Sequence, residues 1–118
     1  MAYMEIVEVE EPQRMFCATF FLGKTGNVVP GGYRDTVEEA VHALVHVMET
    51  RDVRRWAPSV AALTHGVVDY MEKNPTLSWT RFDVPETPTD RAEEAIAGMA
   101  AGTSVRRREE YTGTASDG

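Results

Sequence analysis

Cysteine is almost missing from this chain. Cys17 stands alone, which rules out an internal disulfide and with it the disulfide-dense architecture of small secreted domains. It lies inside the apolar run RMFCATFFL, where a thiol serves as a small core hydrophobe. No window approaches the roughly eighteen consecutive apolar residues that a membrane span requires. The opening MAYMEIVEVEEP places glutamates where a signal peptide carries a basic and then an apolar stretch. The expectation is a cytoplasmic protein, or one built into a particle assembled in the cytoplasm. Lysine occurs twice against ten arginines, and isoleucine and asparagine twice each, while alanine and valine abound. That skew fits GC-rich codon usage, in a bacterial chromosome or in a phage or plasmid resident in such a host. Positive charge is short overall: twelve basic residues face nineteen acidic ones, a formal net charge of −7. Such a field repels phosphate backbones, whose binding depends on lysine and arginine displacing counterions, so nucleic acid is disfavoured as a partner.

What is present is the makeup of a folded domain. Hydrophobic residues supply 42% of the 118 and charged residues 26%, enough apolar surface for one core but not for two domains. The start YMEIVEVEE alternates at Val7, Glu8, Val9 and Glu10, as in a strand with one wet face, and Pro12 ends it. RMFCATFFL is apolar on both parities and reads as a central strand. Between 23 and 35 four glycines and a proline predict turns, with Val28 and Val29 as a short returning strand.

Asp35 or Thr36 then caps a helix, because Glu38 and Glu39 stand three residues further on. Its apolar stripe is Val37, Val41, Leu44 and Met48. Pro58 opens a second helix with the stripe Val60, Leu63, Thr64, Val67 and Met71, and Pro75 follows its end. Residues 76–84 read as a further strand, and 89–102 as a third helix with a thin stripe of Ala92, Ala95, Ile96 and Met99. The order predicts an α+β domain over 1–102: a mostly antiparallel sheet of three to four strands with helices on one face, in the order β-β-(β)-α-α-β-α. The polar tail 103–118 lacks periodicity and is expected to be mobile unless docked on a partner.

Several patterns invite a chemical reading. His42 and His46 are four apart on the first helix, and His65 and Asp69 repeat that spacing on the second with Glu72 nearby. Zinc gripped by His42, His46, His65 and a carboxylate would unite the two helices. Helical geometry, however, places His42 and His46 about 140° and 180° around from Val37, opposite the core stripe, so solvation is the expectation and no metal or other cofactor is assigned. Gly23-Lys24-Thr25 lacks the upstream glycine of a phosphate loop, Ala18 standing there, and GNVVPGG follows it where a helix should begin. No serine, cysteine or lysine stands in an arrangement that suggests an activated nucleophile, so no catalytic residue is assigned.

The remaining pattern is RDVRRW at the bend between the first two helices. Arg51, Arg54, Arg55 and Trp56 combine the side chains most enriched where one protein anchors in another. Trp56 folded into the core, with the arginines on the chain's own carboxylates, is the competing picture. The leading functional reading is therefore a non-catalytic interaction or assembly component, whose partner is another protein or copies of itself. Such a chain is a subunit of a multi-protein particle such as a virion, or a small acidic inhibitor, immunity or adaptor protein of a phage or plasmid. The alternative is a small metal- or ligand-dependent enzyme whose site forms between helices or subunits.

Overall fold

The computed structural model describes residues 1–10, 12–23, 26–91 and 95. Strands β1 (Ala2–Val9), β2 (Met15–Leu22) and β3 (Asn27–Arg34) precede helices α1 (Val37–Met48) and α2 (Ala57–Lys73), and β4 (Trp79–Asp83) follows. The sheet order is β3-β2-β1-β4, antiparallel throughout. Consecutive strands form a meander, and the helical hairpin returns the chain to the free side of β1. This is the α+β architecture expected, with the bracketed third strand present and two helices packed against the sheet.

Alternation along the strands decides what faces the helices. Met4, Ile6, Phe16, Ala18, Phe20 and Phe82 meet Val41, Leu44, Met48, Val60, Leu63 and Val67 in one continuous core. Every member of the two expected helical stripes lies in or against that core or is buried. Thr36 caps α1 as anticipated: its Oγ1 accepts from Glu39 N at 3.1 Å and donates to Glu39 Oε1 at 3.0 Å. Pro58 sits in the first turn of α2, and Asn74 closes that helix by donating Nδ2 to the Tyr70 carbonyl at 2.9 Å.

Three expectations about the strands need correction. The β3 segment was expected to be short and to dissolve into turns, yet it pairs with β2 from Asn27 to Arg34. A glycine at 31 is what allows this, because a Cβ there would lie 2.6 Å from Leu44 Cα. The strand thus passes directly under α1, Gly32 turns through φ +93° beside a bulge in the β2 pairing, and Pro30 is tolerated because β3 is an edge. In β1 the wet and dry faces are exchanged toward its end. Glu8 shares the helix side with Met4 and Ile6, while Val7 and Val9 project to the opposite face. Register explains it: the large Met4, Ile6 and Phe82 set the parity, and Glu8 inherits a buried position that Arg14 Nε makes tolerable at 2.8 Å from Oε2. Finally, β4 is shorter than residues 76–84, since Leu77 N closes a turn on the Asn74 carbonyl at 3.0 Å before the ladder begins.

The far face of the sheet is itself largely apolar. Val7, Val9 and Cys17 are buried there with Met15, Tyr33 and Trp79 packed against them. Beside them Tyr3 stacks on Phe21 with ring centroids 4.8 Å apart, and Arg81 lies 3.9 Å above the Tyr3 ring. Such cross-strand pairs hold neighbouring strands in register. Of the expected third helix over 89–102, residues 89–91 are not helical, with Arg91 N donating to Thr89 Oγ1 at 3.2 Å, and Ala95 is buried against the main core; the rest of it and the tail 103–118 fall outside the described residues. Among the described residues no helix is long and apolar enough to cross a membrane.

Candidate functional site

The helical hairpin gives the molecule two ends. At one, residues 49–56 turn the chain from α1 into α2 through a 3-10 turn over Arg54–Trp56, with Val53 buried as its anchor. Trp56 also turns inward. It is only 9% exposed, lies in the core cluster and meets Phe20 at 6.1 Å between ring centroids. Arg51, Arg54 and Arg55 remain exposed. Arg55 folds flat enough to lie 5.1 Å from the Trp56 ring centroid, which fixes one guanidinium at the surface. Among the described residues none of these three arginines forms an ion pair.

Next to this turn a cleft of about 760 Å³ opens between the start of β1, the end of β2 and the segment after β4. Its apolar wall includes Leu22, Trp56 and Val84, and its rim mixes Arg55 and Arg91 with Asp52, Asp83 and Glu86. Val84 N continues the β4 ladder onto the Ala2 carbonyl at 2.9 Å, and Ser59 Oγ donates to the Glu86 carbonyl at 3.3 Å. The cleft wall is thus tied to both the sheet and α2. Of the four residues singled out in the sequence, Arg55 and Trp56 line this cleft, while Arg51 and Arg54 are exposed on the same turn.

At the opposite end, where α1 begins and α2 finishes, a groove of about 430 Å³ has a different character. Phe16, Val37, Val68, Met71 and Leu77 provide apolar lining; Glu8, Asp35, Glu38 and Glu72 set four carboxylates around it against the single guanidinium of Arg14. Glu8 is the telling member. Its side chain is 9% exposed, and Arg14, itself 62% exposed, is the one side-chain partner it has among the described residues. Sequence reasoning missed this groove because its acids come from three separate segments, β1, the start of α1 and the end of α2. The one local signal was the misplaced expectation that Glu8 lies on a wet face.

The histidines do not come together. His42 and His46 are exposed on α1 and His65 is exposed on α2. Among the described residues no group of three or more histidine, cysteine, aspartate or glutamate side chains is placed to hold a metal ion. Asp69 is engaged with Lys73 Nζ at 2.9 Å, one helical turn on. Burial pushes the Cys17 thiol up from its ordinary range, outweighing the opposing contact with Thr19 Oγ1 at 3.7 Å. A buried thiol held protonated is a poor nucleophile. Comparison with protein-family models, with curated proteins and with solved structures finds no match for this chain.

Proposed function

We propose that this chain is a non-catalytic interaction or assembly component that works by presenting a surface to another protein or to copies of itself. The observation that carries the reading is the condition of Arg51, Arg54 and Arg55. Glu49 and Asp52 stand on the same turn, yet among the described residues these three exposed arginines form no ion pair. Arg55 is moreover held on the Trp56 ring at the lip of an apolar-walled cleft. A guanidinium fixed in this way loses less side-chain freedom when a partner binds, and arginine beside tryptophan is the chemistry that dominates interface energetics. Trp56 supports this arrangement from beneath; the arginines do the contacting.

In this reading the chain is a subunit of a multi-protein particle such as a virion, or a small acidic inhibitor, immunity or adaptor protein of phage or plasmid origin, working in the cytoplasm. The test is intact-mass measurement of the tagged chain recovered from its own host cells at low ionic strength. A complex of defined stoichiometry is expected, and Arg54→Glu with Arg55→Glu should return the chain alone. A large symmetric particle identifies the assembly subunit, and a one-to-one or two-to-two complex the inhibitor or adaptor. Recovery of the unmodified chain solely as a lone monomer overturns the proposal.

A further inference from the structure

The two ends of the helical hairpin differ in charge: the turn sets three arginines against Glu49 and Asp52, while the other end is dominated by carboxylates. At the turn stand Arg51, Arg54 and Arg55, exposed and without ion pairs among the described residues. At the open ends of the helices lies the groove whose lining sets Glu8, Asp35, Glu38 and Glu72 around Phe16 and Met71. The twelve residues of α1 separate them, which at about 1.5 Å per residue is roughly 18 Å. A single chain cannot bring its own turn into its own groove over that distance, because the same rigid helices that carry the two features hold them apart. A second copy can.

We infer that this chain self-associates head to tail, the arginine turn of one copy entering the acidic groove of the next. The guanidinium groups would face Asp35, Glu38 and Glu72 at the groove rim, and the aliphatic arginine stems would lie along the apolar lining. Glu8 strengthens the assignment. A carboxylate more than nine-tenths buried lines the groove and is held by one exposed arginine on one oxygen, Oε2. Its charge adds to the negative field at the place where a further guanidinium would arrive. Contact between different surfaces of identical chains does not close on itself as a twofold dimer does. It propagates, into a ring if the rotation closes and into a filament if it does not. The inference rests on the reading of the chain as an interaction component and names its partner as another copy.

Sedimentation velocity on the purified full chain across a concentration series tests it. The unmodified chain is expected to form a ladder of species, monomer, dimer and longer, with its association weakened about tenfold or more between roughly 50 mM and 500 mM salt as the charges are screened. R51S/R54S/R55S and E38K/E72K change exposed side chains only, and a cooperative urea transition within about 1 kcal/mol of the unmodified chain shows that both variants fold. Each variant should be monomeric alone where the unmodified chain is more than half assembled. Mixed in equal amounts, they retain one intact junction, the groove of the first with the turn of the second, and should give a one-to-one heterodimer that grows no further. An unmodified chain that stays monomeric at every concentration overturns the inference, and so does a closed dimer indifferent to E38K/E72K or a mixture that stays monomeric. A monomeric purified chain would still leave intact an arginine-dependent complex with a different protein recovered from cells, so the two proposals fail separately.

Discussion

Gly31→Ala is the sharpest probe of how the helical hairpin is seated. The added methyl carbon would lie 2.6 Å from Leu44 Cα, 2.7 Å from Leu44 N and 2.9 Å from Leu44 Cβ. Two of these three atoms are helix backbone, so no side-chain rotation relieves the clash. Either β3 or α1 must retreat by at least about 0.8 Å, the difference between 2.6 Å and the 3.4 Å where ordinary contact begins. A gap of roughly 0.5–1 Å forfeits a quarter to a half of each dispersion contact across it. The buried side chains on that face of α1 include Val41, Leu44 and Met48, so the expected cost is about 3 kcal/mol, at the upper end for an overpacked core. With a urea slope of about 1.5–2 kcal/mol per molar, the unfolding midpoint should fall by roughly 1.5–2 M. Gly26→Ala is the internal control. Its φ of +74° strains an alanine but nothing lies within 4 Å, so the cost should stay near 1 kcal/mol. Equal midpoints for the two variants would refute the claim that close passage of β3 under Leu44 fixes α1.

Other consequences can be checked on the same protein. Trp56→Ala should cost about 3–5 kcal/mol as a core truncation, whereas Arg55→Ala should cost no more than about 1 kcal/mol, because it loses a ring contact at the surface; urea titrations with each variant would compare them. Cys17 should resist thiol reagents until the fold opens. Because burial raises its pKa, this group's contribution to stability is complete below the unfolded thiol's pKa and declines as pH rises toward the folded one, a decline that Cys17→Ala should remove from a pH series of unfolding free energies. His42→Ala and His46→Ala, both on exposed positions, should change stability by less than about 0.5 kcal/mol. Stoichiometric zinc should leave the melting temperature of the unmodified chain where it was; a rise abolished by these variants would favour the metal-dependent alternative.

The helices were legible because their information is local. Val41, Leu44 and Met48 recur at helical spacing, Thr36 precedes Glu39 by three residues, and Pro58 marks a first turn; each of these is a short-range pattern that tertiary structure left in place. The strands were legible in existence but not in facing. Val7-Glu8-Val9 alternates perfectly well in either register, and the choice was made elsewhere, by Met4 and Ile6 against the helices and by Trp79 and Thr80 as partners of Val7 and Ile6. The full length of β3 was hidden for a related reason. Gly31 and Gly32 resemble turn glycines in sequence, yet Gly31 serves close packing against a helix that comes later in the chain. The Arg51–Trp56 cluster was visible because it is contiguous. The acidic groove was not, since Glu8, Asp35, Glu38 and Glu72 converge only once the hairpin is laid on the sheet.

Glu72 separates stability from assembly more directly than any other residue. The first turn of α1 carries Glu38 and Glu39, where the positive end of the helix favours acid. Near the end of α2 the sign reverses, and Lys73 suits the place but Glu72 does not. Helix electrostatics therefore give no reason for a glutamate at 72, and its side chain is exposed, so core packing gives none either. In the proposed assembly Glu72 is one of the groove carboxylates that the arginine turn of a second copy would meet. Glu72→Lys should then move two measurements in opposite directions. The isolated domain should gain about 0.3–1 kcal/mol in urea unfolding as the dipole conflict is relieved, while concentration-dependent sedimentation should shift toward monomer. A variant that loses stability and assembles as before would show that Glu72 serves the fold and not the contact.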